Sequence, residues 1–127
     1  MLLGTSALIV EEEYLIASEM QRVLEAAGAA AILARNPVDG AGQTISRAFD
    51  VALVAIVPDD DDSIALLRRL QEAGVAVVAI SSLGEHRQGI PGLDGVVVIT
   101  KPFADEDLLN SAATAMLAAA REVKRPS

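Results

Sequence analysis

Four residues of this 127-residue chain have the types and positions to handle a phosphoryl group. Glu11 and Glu12 follow the apolar run Ala7–Val10, Ser81 follows Val75–Ile80, and Lys101 follows Val96–Thr100. Each sits where a buried strand would meet solvent at its carboxyl end. Adjacent carboxylates hold Mg²⁺ directly or through water, while a hydroxyl and an ammonium neutralise phosphoryl oxygens. A nucleophile is the missing part. The remaining long apolar run, Val51–Val57, carries Ala55, and a methyl group cannot form the bond to phosphorus.

The elements that would position these residues alternate in type. Ala7–Val10, Ala29–Ala34, Val51–Val57, Val75–Ile80 and Val96–Thr100 read as five strands, nearly all apolar, as expected where helices cover both faces of a parallel sheet. After the first strand the period becomes helical, with Ile16, Met20, Val23, Leu24 and Ala27 on one face and Gly28 as the stop. Asn36-Pro37 predicts a capped helix to about Ala48, weakened by Gly40 and Gly42. Pro58 and Asp59–Asp62 read as an exit loop, and Ser63–Ala73 as a helix burying Ile64, Leu67 and Leu70, stopped by Gly74. Leu83–Gly95 is rich in Gly and Pro, so any helix there is short or irregular. Asp105, Glu106 and Asp107 open a long last helix with Leu108, Leu109, Ala112, Ala113, Met116, Leu117 and Ala120 on its buried face. Five strands and about five helices predict an α/β doubly wound domain. One domain over residues 1–127 is expected, with a core of about 6–120 and a polar tail over 121–127. Chemistry in such sheets collects at the carboxyl ends of the strands, beside the point where strand order reverses.

Composition removes several functions. A net charge of −8 repels phosphate backbones and anionic lipid, so neither nucleic acid nor membrane is expected as a partner. No Cys and a lone His86 leave no structural zinc site, and His86 reads as an exposed loop residue. The start, Met1-Leu2-Leu3-Gly4, lacks the form of a signal peptide, and no apolar run is long enough to span a bilayer. A soluble cytoplasmic protein is the expectation.

Taken in order, Leu8-Ile9-Val10-Glu11-Glu12-Glu13, Phe49-Asp50-Val51-Ala52-Leu53-Val54-Ala55, Ser81 after Val77-Val78-Ala79-Ile80, and Lys101-Pro102-Phe103 resemble a response-regulator receiver domain of two-component signalling. The likeness runs from about Ser6 to Leu117. It implies a flavodoxin-like five-stranded parallel sheet with helices on both faces. It also implies that Glu11 and Glu12, with the Val57 carbonyl, are remnants of a Mg²⁺ site, weak because a carboxylate ligand is lost. By the same resemblance Ser81 and Lys101 correspond to the phosphoryl-binding pair, and Lys101-Pro102 to a cis bond that aims the lysine inward. Two positions depart from the pattern: the phosphoacceptor falls on Ala55 and the aromatic switch on Val98. Without an aspartate partner, Lys101 would bridge to Glu11 or Glu12 and lock the pocket electrostatically.

Each signal has a plainer reading: Glu11 and Glu12 as solvated strand-end acids, Ser81 as an ordinary junction hydroxyl, Lys101 as a surface charge. Asp59–Asp62 reads first as a solvated loop capping the next helix. Its sharper reading is a substitute acceptor, but Asp59 lies about 13 Å beyond Ala55 if the chain stays extended. The expectation is an atypical single-domain response regulator, not an enzyme, that acts through phosphorylation-independent protein–protein contact. Its partners would be a histidine kinase, a phosphotransfer protein or another signalling protein. The alanines 115, 118 and 119 widen the apolar face of the last helix and suit a homodimer through the fourth-strand to last-helix side. The alternatives are a phosphorelay receiver using Asp59, an ordinary receiver in which Ala55 is an engineered substitution, and a small flavodoxin-like nucleotide-binding module. Against the last, no Gly-rich loop follows the first strand, and Glu11–Glu13 would repel a nucleotide phosphate.

Overall fold

The structure is a computed structural model and describes residues 2–56, 61–82, 90 and 93–124, the side chains of 122–124 excepted. Its elements run β1 (Ser6–Val10), α1 (Tyr14–Ala26), β2 (Ala30–Ala34), α2 (Pro37–Ser46), β3 (Val51–Ala55), α3 (Asp61–Glu72), β4 (Ala76–Ser81), β5 (Val97–Thr100) and α4 (Asp105–Lys124). The five strands form one parallel sheet in the order β2-β1-β3-β4-β5. From β1 the chain moves first to one side and then to the other, so strand order reverses between β1 and β3.

Alternation within each strand divides the core in two. Ala7, Ile9, Val51, Leu53, Val78 and Ile80 point to one face, where Met20 and Leu24 of α1 and Leu108 and Ala112 of α4 cover them. Leu8, Val10, Ala52, Val54, Val77 and Ala79 point to the other, beneath Leu66, Leu67 and Leu70 of α3. Both faces being dry, β3 carries no polar side chain, β1 none after Ser6 and β4 none before Ser81, which explains their unbroken apolar runs. Arg22 of α1 pairs with Glu19 and lies 3.5 Å from Asp105 of α4. The hydrogen bond from Arg22 holds the Glu19 carboxyl below the usual carboxylate range.

Local signals placed the helices well. The Asn36 side chain accepts from Asp39 N (2.8 Å), the Asp39 carboxylate accepts from Arg35 N (3.1 Å), and Pro37 takes the first helical position of α2. Gly28 follows α1 at φ 104°, a conformation that suits glycine.

Several expectations need correction. The core begins at Leu2, 2% exposed, whose N–H donates to Ala27 O (2.8 Å), and α4 continues through Lys124, so the supposed tail over 121–127 is helical for its first four residues. Asp61 and Asp62 lie within the first turn of α3, not in a loop. Ser81 is the last residue of β4, paired with Thr100, because β5 is long enough to extend the ladder there. On α4, Leu117 is 61% exposed and Ala120 is exposed, whereas Ala115 is buried and Ala118 and Ala119 are half-buried. The stripe facing the sheet is narrower than the apolar pattern. It includes Ser111, whose hydroxyl donates to Leu108 O (2.7 Å) and so needs no other partner. Among the described residues there are four helices; most of the Gly-rich segment between β4 and β5 lies outside them, and its described part holds an Ile90–Leu93 bridge. No helix among the described residues is long and apolar enough to cross a membrane.

Gly40 is buried in α2, and a Cβ there would stand 2.9 Å from Val10 Cγ2 and 3.1 Å from Leu66 Cδ2. What looked like a weak point in the helix is the contact that lets α2 approach β1 and α3. Gly40→Ala should therefore lower stability by about 1 to 3 kcal/mol through overpacking, despite the better helix propensity. Gly42→Ala, with nothing within 4 Å of the added carbon, should raise stability by about 1 kcal/mol. Urea unfolding of both variants checks the pair, and equal effects would contradict the packing account.

Candidate functional site

At the carboxyl edge of the sheet, main-chain pairing runs one residue past the strands. Glu11 N donates to Ala34 O (3.0 Å), Ile56 N to Ile80 O (2.8 Å), and Lys101 N to Ser81 O (2.9 Å). These bonds hold the residues after β1, β3 and β5 in line with the sheet. The Lys101-Pro102 peptide is cis, as the receiver resemblance implied.

One contact dominates this edge. Lys101 Nζ donates to Glu11 Oε1 at 2.6 Å, with the Glu11 side chain 4% exposed and that of Lys101 24%. Glu11 Oε2 also accepts from Glu13 N (3.3 Å). Because β3 and β4 lie between β1 and β5, two long side chains must reach toward each other over the ends of those strands. Ala55, buried and in register with Ile80, ends β3 beneath that span. Ser81 is buried at the end of β4, and Val98 is half-buried on β5 in register with Ala79. The structure thus joins Glu11 to Lys101 by a direct bond and Lys101 to Ser81 through the main chain.

Glu12 is not part of this group. It is exposed and lines a polar hollow with Arg35, Asn36 and Asp39, at the start of α2. Both Glu11 oxygens accept hydrogen bonds, and Glu12 sits among other side chains. Among the described residues no cluster of three or more His, Cys, Asp or Glu could hold a metal ion. Of the residues the resemblance implied for Mg²⁺, Glu11 bonds Lys101 and Glu12 lies on the α2 side. Val57, Asp59 and His86 lie outside the described residues. The surroundings of Glu12 escaped the sequence reading, although the Asn36-Pro37 cap, which places Asp39 three residues later, marks that helix start.

No protein-family model matches the chain. Transcriptional regulatory protein DltR from two strains of Streptococcus agalactiae is 29% identical over 106 residues, covering 80% of this chain and 47% of DltR. The chain thus spans about half the length of the curated relatives it matches. A response regulator from Thermotoga maritima superposes with a TM-score of 0.78 at 22% identity, over 91% of this chain and 99% of that one. The CheY-like receiver domain protein from Methanospirillum hungatei gives 0.75 at 20% identity, over 93% and 98%. The chain has the receiver fold. A signal receiver domain of a histidine kinase from Syntrophus aciditrophicus is similar over 98% of this chain and 96% of its own, with a TM-score of 0.76 and 23% identity.

Within the receiver fold, the ion pair is the element of this edge whose energetics can be measured directly. Removing one member of a buried pair leaves an uncompensated charge. Lys101→Met should cost about 3 kcal/mol of unfolding free energy, since Glu11 stays buried. Adding Glu11→Gln should recover part of that loss, giving a coupling of about 1 to 3 kcal/mol in the double-mutant cycle. Strict additivity in urea unfolding would mean that the contact contributes nothing to the fold.

Proposed function

We propose that this chain is a signalling module of two-component systems that binds partner proteins without accepting phosphate. The carrying observation is Ala55 at the end of β3, beneath a lysine already bonded to Glu11. A covalent phosphoryl intermediate needs an atom that forms the bond, and neighbouring groups do not substitute for it. The Glu11–Lys101 pair supports the reading further, because the lysine has its anion without any phosphoryl group. Val98, aliphatic where the resemblance puts the aromatic switch, fits a site held in one state.

On this reading a histidine kinase, a phosphotransfer protein or another signalling protein is bound constitutively, with affinity set by surface fit and occupancy regulated by abundance. Neither catalysis nor nucleic-acid binding belongs to the proposal. Mg²⁺ would bind weakly if at all, given the engaged Glu11. Leu117, exposed on α4, offers an apolar contact for a homodimer on the β4–α4 side.

An amide NMR titration with Mg²⁺, then with beryllofluoride or acetyl phosphate, tests the proposal. The expected result is no saturable shift at Glu11, Ser81 or Lys101 after the phosphate mimic. Saturable shifts that spread to α4 would overturn it. If acid-labile incorporation from acetyl phosphate accompanied them and vanished in Asp59→Asn, the displaced-acceptor reading would replace it.

A further inference from the structure

We propose a second site, at the opposite end of the sheet, that binds a carboxylate carried on a short apolar body. The cavity lies between the carboxyl end of α2 and α3, where the chain enters β3 and β4, and has a volume of about 350 Å³. That is within the range of small-molecule sites. Phe49, Leu66, Leu70 and Val75 form its apolar lining, and the first three are buried in the second core cluster, so the floor is part of the packed core.

Charge decides the ligand class. The chain has 18 acidic and 10 basic residues, yet no acid lines this cavity and Arg47 and Arg69 both do. Neither arginine makes an ion pair among the described residues, and both are exposed. Two guanidinium groups over an apolar floor suit one carboxylate, which a planar fork can hold through two parallel hydrogen bonds. A polyanion such as a nucleotide is disfavoured by the overall charge of −8. The site lies about 17 Å from Glu11 and Lys101, the length of a five-residue strand. It is therefore independent of the function proposed above.

The test is an amide NMR titration of the full chain with 4-phenylbutyrate, with 4-phenylbutyramide and inorganic phosphate as controls. Phenylbutyrate should give saturable shifts at Phe49, Leu70 and Val75 with a dissociation constant of about 1 mM or below. The Arg47→Gln/Arg69→Gln variant should bind about tenfold more weakly with an unchanged thermal midpoint. A peptide, acetyl-Leu-Asp-Leu-amide, separates the sources. Tighter binding than phenylbutyrate assigns the site to an acidic segment of a partner protein, and weaker binding assigns it to a free small acid; either supports the site. No saturable shift, equal binding of the amide or of phosphate, or full binding by the double glutamine variant would overturn it.

Discussion

A parallel sheet covered on both faces leaves its polar chemistry nowhere to go but the strand ends, and that constraint organises this molecule. The interior of β1, β3 and β4 is Ala, Val, Leu and Ile without interruption, because every side chain on those strands meets a helix layer or the facing core. The polar groups Glu11, Ser81 and Lys101 therefore gather on the carboxyl rim. There the hydrogen bonds of Glu11, Ile56 and Lys101 to neighbouring strands carry the ladder one residue further and set the spacing of the site. The low aromatic content follows from the same arrangement, since small and branched residues let helices pack closely on a sheet.

On that rim, the burial of Glu11 imposes the next requirement. A carboxylate with almost no exposure is costly unless its charge is compensated and its oxygens are bonded. Lys101 supplies the compensation and the Glu13 amide part of the bonding. Such a pair is weak evidence for extra stability, because desolvation offsets much of the attraction. Its effect is on which arrangement persists: while Nζ stays on Glu11, that carboxylate balances the lysine's charge and takes one of its three donors. Glu12, free of this pairing, turns to the α2 side among Arg35, Asn36 and Asp39, so two carboxylates adjacent in sequence end up with separate surroundings.

Much of this was legible in the residues. The five apolar runs located the strands to within one or two residues at each described boundary, most plainly for β1, β3 and β4, which are buried on both faces. Asn36-Pro37 and Gly28 marked helix ends through purely local geometry. The α4 stripe was less legible, because a helix rich in alanine is apolar on more sides than it buries. Leu117 faces solvent while Ser111 is buried, a reversal that composition hides and that the serine bond to its own helix backbone permits. Gly40 reads as a helix breaker in one dimension and is a close contact in three.

The sequence by itself determined the alternation of elements, the alanine at position 55 and the order in which the rim residues occur, because these depend on local pattern and residue identity. Only the tertiary structure decided that Lys101 bonds Glu11 and that Glu12 lies apart from it. Glu11 and Lys101 are 90 positions apart, and whether two such groups meet depends on strand order and side-chain reach, which no local pattern encodes. The same is true of Arg47 and Arg69, which come to one cavity because α2 and α3 pack side by side over the same sheet face.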